Sequence, residues 1–146
     1  MTPDSEIKAI SSSKIPQPVV GGPHPHGFRV GNLLFLSGQL ASDFKTGIPK
    51  EARRDPNFPY YTSDIKLQTK YILENFKTLL EENGSSLDHV VKAQVFLVNL
   101  NDFAGFDEVW KQYFRRPPPR STVGVAGLLV PGCLVEIDLT AVVPEK

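Results

Sequence analysis

The chain has 146 residues, 40% of them hydrophobic and 22% charged, enough for one domain with its own core and too apolar for a disordered chain. Sixteen basic side chains balance sixteen acidic ones, so the basic excess typical of a phosphate-backbone binder is missing and no nucleic-acid partner is expected. A lone cysteine, Cys133, excludes an intramolecular disulfide, and the polar N-terminus and lack of a long apolar run point to a cytoplasmic protein without a membrane partner.

Residues 1–20 read as a flexible arm, because Pro3, Pro16, Pro18 and Ser11-Ser12-Ser13 offer little to bury; residues 21–146 are left as a single domain. Gly21-Gly22-Pro23-His24-Pro25-His26-Gly27 predicts a turning, extended loop. Residues 28–30 and 33–36 then flank Gly31-Asn32 as the arms of a hairpin. From residue 41 to 62 the pattern dissolves into a long loop, with a further short strand expected near Ile48. Thr62 or Ser63 can cap a helix in which Ile65, Ile72, Phe76, Leu79 and Leu80 share one face, and Asn83-Gly84 can end it.

Residues 90–98 alternate as a central strand, with Val91, Ala93, Val95 and Leu97 facing one way. Asn101 or Asp102 can cap a second helix carrying the stripe Phe103, Phe106, Trp110 and Tyr113, and Pro117-Pro118-Pro119 stops it. Two strands over 121–126 and 134–142 finish the chain. The order predicts an α+β fold in which two helices cover one face of a single sheet. In the last strand Val135, Ile137, Leu139 and Ala141 suit the covered face, and Glu136, Asp138 and Thr140 the bare one.

The same parity in the penultimate strand groups Arg120, Thr122 and Gly124 against Val123 and Val125. If the last two strands pair, Arg120 and Glu136 meet on the helix-free face. A guanidinium fork there can grip a carboxylate, and the glutamate can hold and activate a water. On residue types alone, a structural ion pair is the commoner explanation of the two.

Pro118-Pro119-Arg120-Ser121 and Val135-Glu136-Ile137, with Ser37-Gly38-Gln39 and the run from Val95 to Phe103, resemble the RidA/YjgF family, formerly known through endoribonuclease L-PSP and translation-inhibitor names. The likeness covers residues 20–143. It implies a chorismate-mutase-like fold whose sheets join three subunits in a trimeric barrel, with sites at the subunit interfaces. It further implies a cofactor-independent hydrolytic deaminase of small enamine or imine carboxylic acids, such as 2-aminoacrylate, that releases ammonia and a keto acid. In that reading Arg120 and Glu136 are catalytic, Arg120 binding the substrate carboxylate and Glu136 placing water, while Thr122, Gly38, Ser37 and His24 line the pocket. Many members carry Cys in place of Thr122 and Tyr in place of His24, and residues 51–62 look inserted. The 101–106 run and Arg120-Ser121-Thr122 are similar to the 2-aminomuconate deaminase branch. The alternative is a trimer of the same fold that binds or senses a metabolite without turnover.

Other candidates are weaker. His24 and His26 form an H-x-H pair, but His89 is far away in sequence and no third ligand presents itself, so no metal is expected. Cys133 has no base beside it, and Ser37 lacks a nucleophile-elbow context. Arg53-Arg54 reads as a solvated pair, and Phe58, Tyr60 and Tyr61 as either a pocket wall or a loop anchor.

Overall fold

A computed structural model describes residues 6–18 and 24–145. Seven strands form one sheet: β1 (Ile7–Ile10), β2 (Gly27–Val30), β3 (Leu33–Leu36), β4 (Gln39–Leu40), β5 (Val90–Leu97), β6 (Arg120–Gly124) and β7 (Val135–Val142). Two helices, α1 (Asp64–Glu82) and α2 (Phe103–Tyr113), cover one face. The strand order is β1-β2-β3-β7-β5-β6, with β4 also paired to β7. All pairs are antiparallel except β5 and β6, which run parallel because α2 carries the chain back across the sheet between them. The fold class is the α+β sandwich expected.

The hairpin forms where Gly31 takes a φ of +60°, which glycine accepts without a Cβ clash. Helix α1 buries Ile65, Ile72, Leu73, Phe76, Leu79 and Leu80, and Gly84 at φ +77° ends it. Ser63 stands at its start, but it is the Ser63 carbonyl, accepting from Leu67 N–H at 3.1 Å, that begins the helix. Asp102 stands at the N-cap position of helix α2 without a side-chain cap bond; the helix is entered through a short 3-10 turn, Leu100–Asp102, which Asn99 caps by accepting from Asn101 N–H at 2.9 Å.

Four expectations need correction. Residues 1–20 are not wholly a loose arm: Ile7–Ile10 adds β1 to the sheet, and Ile10, Ser12 and Ile15 are buried. The extra strand lies at Gln39–Leu40 and not near Ile48, where a 3-10 turn, Lys50–Ala52, forms instead. In β5 the buried set is Val90, Ala93, Val95 and Leu97, because an irregularity between Val90 and Lys92 resets the alternation and turns Val91 outward. The two final strands do not pair: β5 lies between β6 and β7.

That last difference decides the faces. Arg120 pairs with Ala93, which pairs with Leu139; Thr122 pairs with Val95, which pairs with Ile137. Directly paired residues share a face, so Arg120 and Thr122 stand on the helix side. Glu136 pairs with Phe96, which pairs with Val123, on the helix-free side. Val123, expected in the core, is 46% exposed. Within one chain, Arg120 and Glu136 lie on opposite faces and two strands apart.

Candidate active site

The predicted residues gather into two half-sites. The first is built where β3 passes into β4. Phe35 is opposite Thr140 and Gln39 is opposite Ile137, so three residues, 36–38, face only two, 138–139, on β7. This bulge takes Ser37 and Gly38 out of the ladder. Ser37 is held there by its N–H on the His26 carbonyl (2.8 Å) and its hydroxyl on the Pro25 carbonyl (3.0 Å). Its hydroxyl proton is therefore committed to the backbone.

Glu136 projects from β7 onto this bulge. A Cβ added at Gly38 would lie 2.9 Å from Glu136 Oε2 and 3.3 Å from its carboxyl carbon, so the carboxyl rests on a surface only glycine provides. Glu136 is partly buried. Burial raises its carboxyl above the usual carboxylate range, and the negative charge of Asp138 raises it further. A carboxylate with raised pKa at a glycine-lined bulge has the character of a general base. Cys133 lies close by, but burial pushes its thiol up to about 11, with the Glu136 charge also opposing ionisation. It is an inert, buried thiol.

Beneath the bulge, His26 is buried and uses both ring nitrogens on backbone. Ser12 N–H donates to Nδ1 at 3.0 Å, so Nε2 carries the proton and donates to the Pro16 carbonyl at 2.8 Å. The imidazole is a tie between the N-terminal segment and β2. His24 is exposed, and the Gly21-Gly22-Pro23 part of its loop lies outside the described residues. Gln39 faces the covered side, and its Nε2 is buried without a partner among the described residues.

The second half-site is at the edge of the sheet, on β6, two strands from β7. Arg120 Nη1 donates to Asp107 Oδ1 at 2.9 Å, and the guanidinium carbon sits 5.4, 5.4 and 5.1 Å from the ring centres of Phe103, Phe106 and Trp110. Rings supply cation–π attraction while keeping water away. Burial pushes the Asp107 carboxyl up, but hydrogen bonds and charge from Arg120 and Lys111 outweigh it and hold Asp107 below the usual carboxylate range. Thr122 follows one pleat along, half-buried on the same face. Asp107 was not anticipated, although it sits four residues after Phe103 and three before Trp110, a carboxylate on the apolar stripe that called for a cationic partner.

Much of the 41–62 loop lies at the surface, although Ala41, Ser42 and Ala52 are buried and Ile48 packs against the core. Phe58, Tyr60 and Tyr61 are all exposed, so they wall no pocket within one chain. Arg54 pairs with Asp64. Among the described residues no group of three or more His, Cys, Asp or Glu side chains is placed to hold a metal ion, and no helix is long and apolar enough to cross a membrane.

Two helices cover a mixed sheet that carries a glycine-seated glutamate on its central strand β7 and a caged arginine on its edge strand β6. Residues 15–143 match the family described as Endoribonuclease L-PSP. A RutC family protein from Pyrococcus abyssi is 37% identical over 134 residues, covering 92% of this chain and 95% of the relative. A 2-iminobutanoate/2-iminopropanoate deaminase from Dermatophagoides farinae is 34% identical over 125 residues, 85% and 88% of the two chains. Among solved structures, E. coli TdcF with bound serine superposes with a TM-score of 0.75 at 32% identity, covering 92% of this chain and 98% of that one. The Rid-family protein YyfA from Yersinia pestis gives 0.77 at 27%, covering 94% and 99%. The chain is a member of the RidA/YjgF family.

Proposed function

We propose that this protein is a cofactor-independent deaminase that hydrolyses small enamine or imine carboxylic acids, working as a homotrimer with sites between subunits. The observation that carries the reading is Glu136, a carboxyl of raised pKa seated on Gly38 at a bulge. A base of that kind can take a proton from water as it adds to an imine carbon, after which ammonia leaves and a keto acid remains. Arg120 supplies the complementary function, a fixed cation for the substrate carboxylate. Family membership and the deaminase name of a relative support the same chemistry.

The division of the site supports the assembly. Arg120 and Glu136 cannot meet within one chain, so a shared substrate needs the β6 end of one subunit beside the β4–β7 bulge of the next. The helix-free face carries Phe28 and Phe35, 46% and 47% exposed, together with Val123, and burying such a face between subunits removes apolar area from water. The resemblance to the family implies that Thr122 and His24 line the same pocket, a hydroxyl and an imidazole in place of the Cys and Tyr of many members.

The deciding experiment measures ammonia released from 2-aminoacrylate and from 2-aminomuconate, each generated in situ, with Arg120→Ala as the blank. Release that depends on Arg120 supports the deaminase. Binding of keto acid without ammonia release from either compound would replace it with a metabolite-binding trimer.

A further inference from the structure

The aromatic cage leaves Arg120 with a defined set of free donors. A guanidinium offers two bidentate edges, Nη1 with Nη2 and Nε with Nη2. Asp107 Oδ1 occupies Nη1 at 2.9 Å, and the three rings stand around the guanidinium carbon without accepting in-plane hydrogen bonds. Among the described residues the Nε/Nη2 edge has no acceptor, and the side chain keeps 19% of its surface exposed. Asp107 is itself anchored, because Lys111 Nζ holds its other oxygen at 3.2 Å. Its charge therefore stays in place whether or not a ligand arrives.

We infer that Asp107 is a positioning and specificity residue: it turns Arg120 into a side-on receptor for one carboxylate and restrains how tightly that carboxylate is held. This rests on the reading of Arg120 as the substrate anchor. A ligand carboxylate on the Nε/Nη2 edge comes to roughly 6 Å from the Asp107 carboxylate across the same guanidinium. In a partly dry site of effective dielectric constant about 20–40, like charges at that separation weaken binding by roughly ten- to a hundredfold. Lys111 offsets part of this, leaving about tenfold. The site then favours small monocarboxylates that leave readily, and disfavours acids with a second carboxylate close to the first.

Titration calorimetry on the full chain with pyruvate and with malonate tests this. Asp107→Asn keeps an oxygen for Arg120 Nη1 and removes the charge. Pyruvate should bind about tenfold tighter to it, and malonate should gain more than pyruvate. A gain in affinity is an outcome that mere damage to the fold cannot mimic. Unchanged or weaker pyruvate binding, or equal gains for both acids, overturns the inference. Lys111→Gln, at a side chain 74% exposed, gives an arm that does not depend on Asp107→Asn folding: it should weaken pyruvate binding several-fold, and no change counts against the inference. Arg120→Ala separates the two levels. If it retains pyruvate binding, the anchor reading itself has failed; if it loses binding while Asp107→Asn changes nothing, only the role of Asp107 has.

Discussion

Replacing Gly38 by alanine tests the seat of Glu136 with one methyl group. The added Cβ would sit 2.9 Å from Glu136 Oε2 and 3.3 Å from Cδ, inside the ~3.5–4.0 Å at which carbon contacts are comfortable. Backbone strain does not enter, since among the described residues the glycines of positive φ are Gly31, Gly47, Gly84 and Gly132, and Gly38 is not one of them. What must yield is the end of a flexible side chain, so the stability cost belongs at the low end of the overpacking range, about 1 kcal/mol, or about 2–4 °C in melting temperature. The carboxyl moves by something approaching 1 Å, and a displacement of that size at a reacting group costs on the order of 10²-fold in rate. Ammonia release under saturating substrate, set beside a thermal melt, reads both quantities. Gly31→Ala is the matched control. It meets no atom within 4 Å but forces alanine to φ +60°, so it should lose about 1–2 kcal/mol of stability and no activity. A Gly38→Ala protein with normal kcat would refute the placement of Glu136 as the base.

Glu136→Gln should lower kcat by ~10²–10⁴-fold with a much smaller change in KM, and a KM defect at normal kcat would mean that Glu136 only shapes the cleft. Because burial and Asp138 raise the Glu136 pKa, the acidic limb of the kcat profile should lie above the ordinary carboxylate range, and Asp138→Asn should move it down. The same raised pKa stabilises the fold at pH values below the unfolded carboxyl's pKa, and that contribution is lost as pH rises through the folded one; comparing denaturant midpoints of the Gln variant and the parent across this window checks the sign. Gln68 is buried on α1, donating to the Gly132 carbonyl and accepting from Leu134 N–H, so Gln68→Leu should cost about 1–3 kcal/mol in chemical denaturation by stranding both groups. Light scattering at micromolar concentration should give three times the chain mass, and a monomer there would end the shared-site reading.

Sequence periodicity reached far into this fold, and its failures have identifiable physical sources. The alternation Val135, Ile137, Leu139, Ala141 against Glu136 and Asp138 was legible because β7 is central, and one face of it is fully buried. The same reasoning named Arg120 and Thr122 together but put them on the wrong face. Spacing carries parity, not direction, and the partner strand that sets the direction, β5, is recruited through a helical crossover that leaves no local trace. Val91 misled because a bulge shifts parity without a glycine or proline to announce it. Ile7–Ile10 leaves a weak sequence signal because it is only four residues long and buries only Ile10; it is held largely by pairing with β2 and by the His26 tie. The Arg120 cage was half-visible, since Phe103, Phe106 and Trp110 were recognised as one stripe, but not that the stripe encloses a charge.

β6 stands last in the sheet, and a terminal strand is a template on which other chains can polymerise. Here the template is short. It runs five residues, Arg120–Gly124, and is preceded by Pro117, Pro118 and Pro119, which have no N–H to offer an incoming strand. Those prolines act as a stop against runaway cross-β growth, while the few donors beyond them still allow one short, well-registered mate. A substitution that restored N–H groups at 117–119 would lengthen the template, so this proline run limits how much of an incoming strand the edge of the sheet can pair.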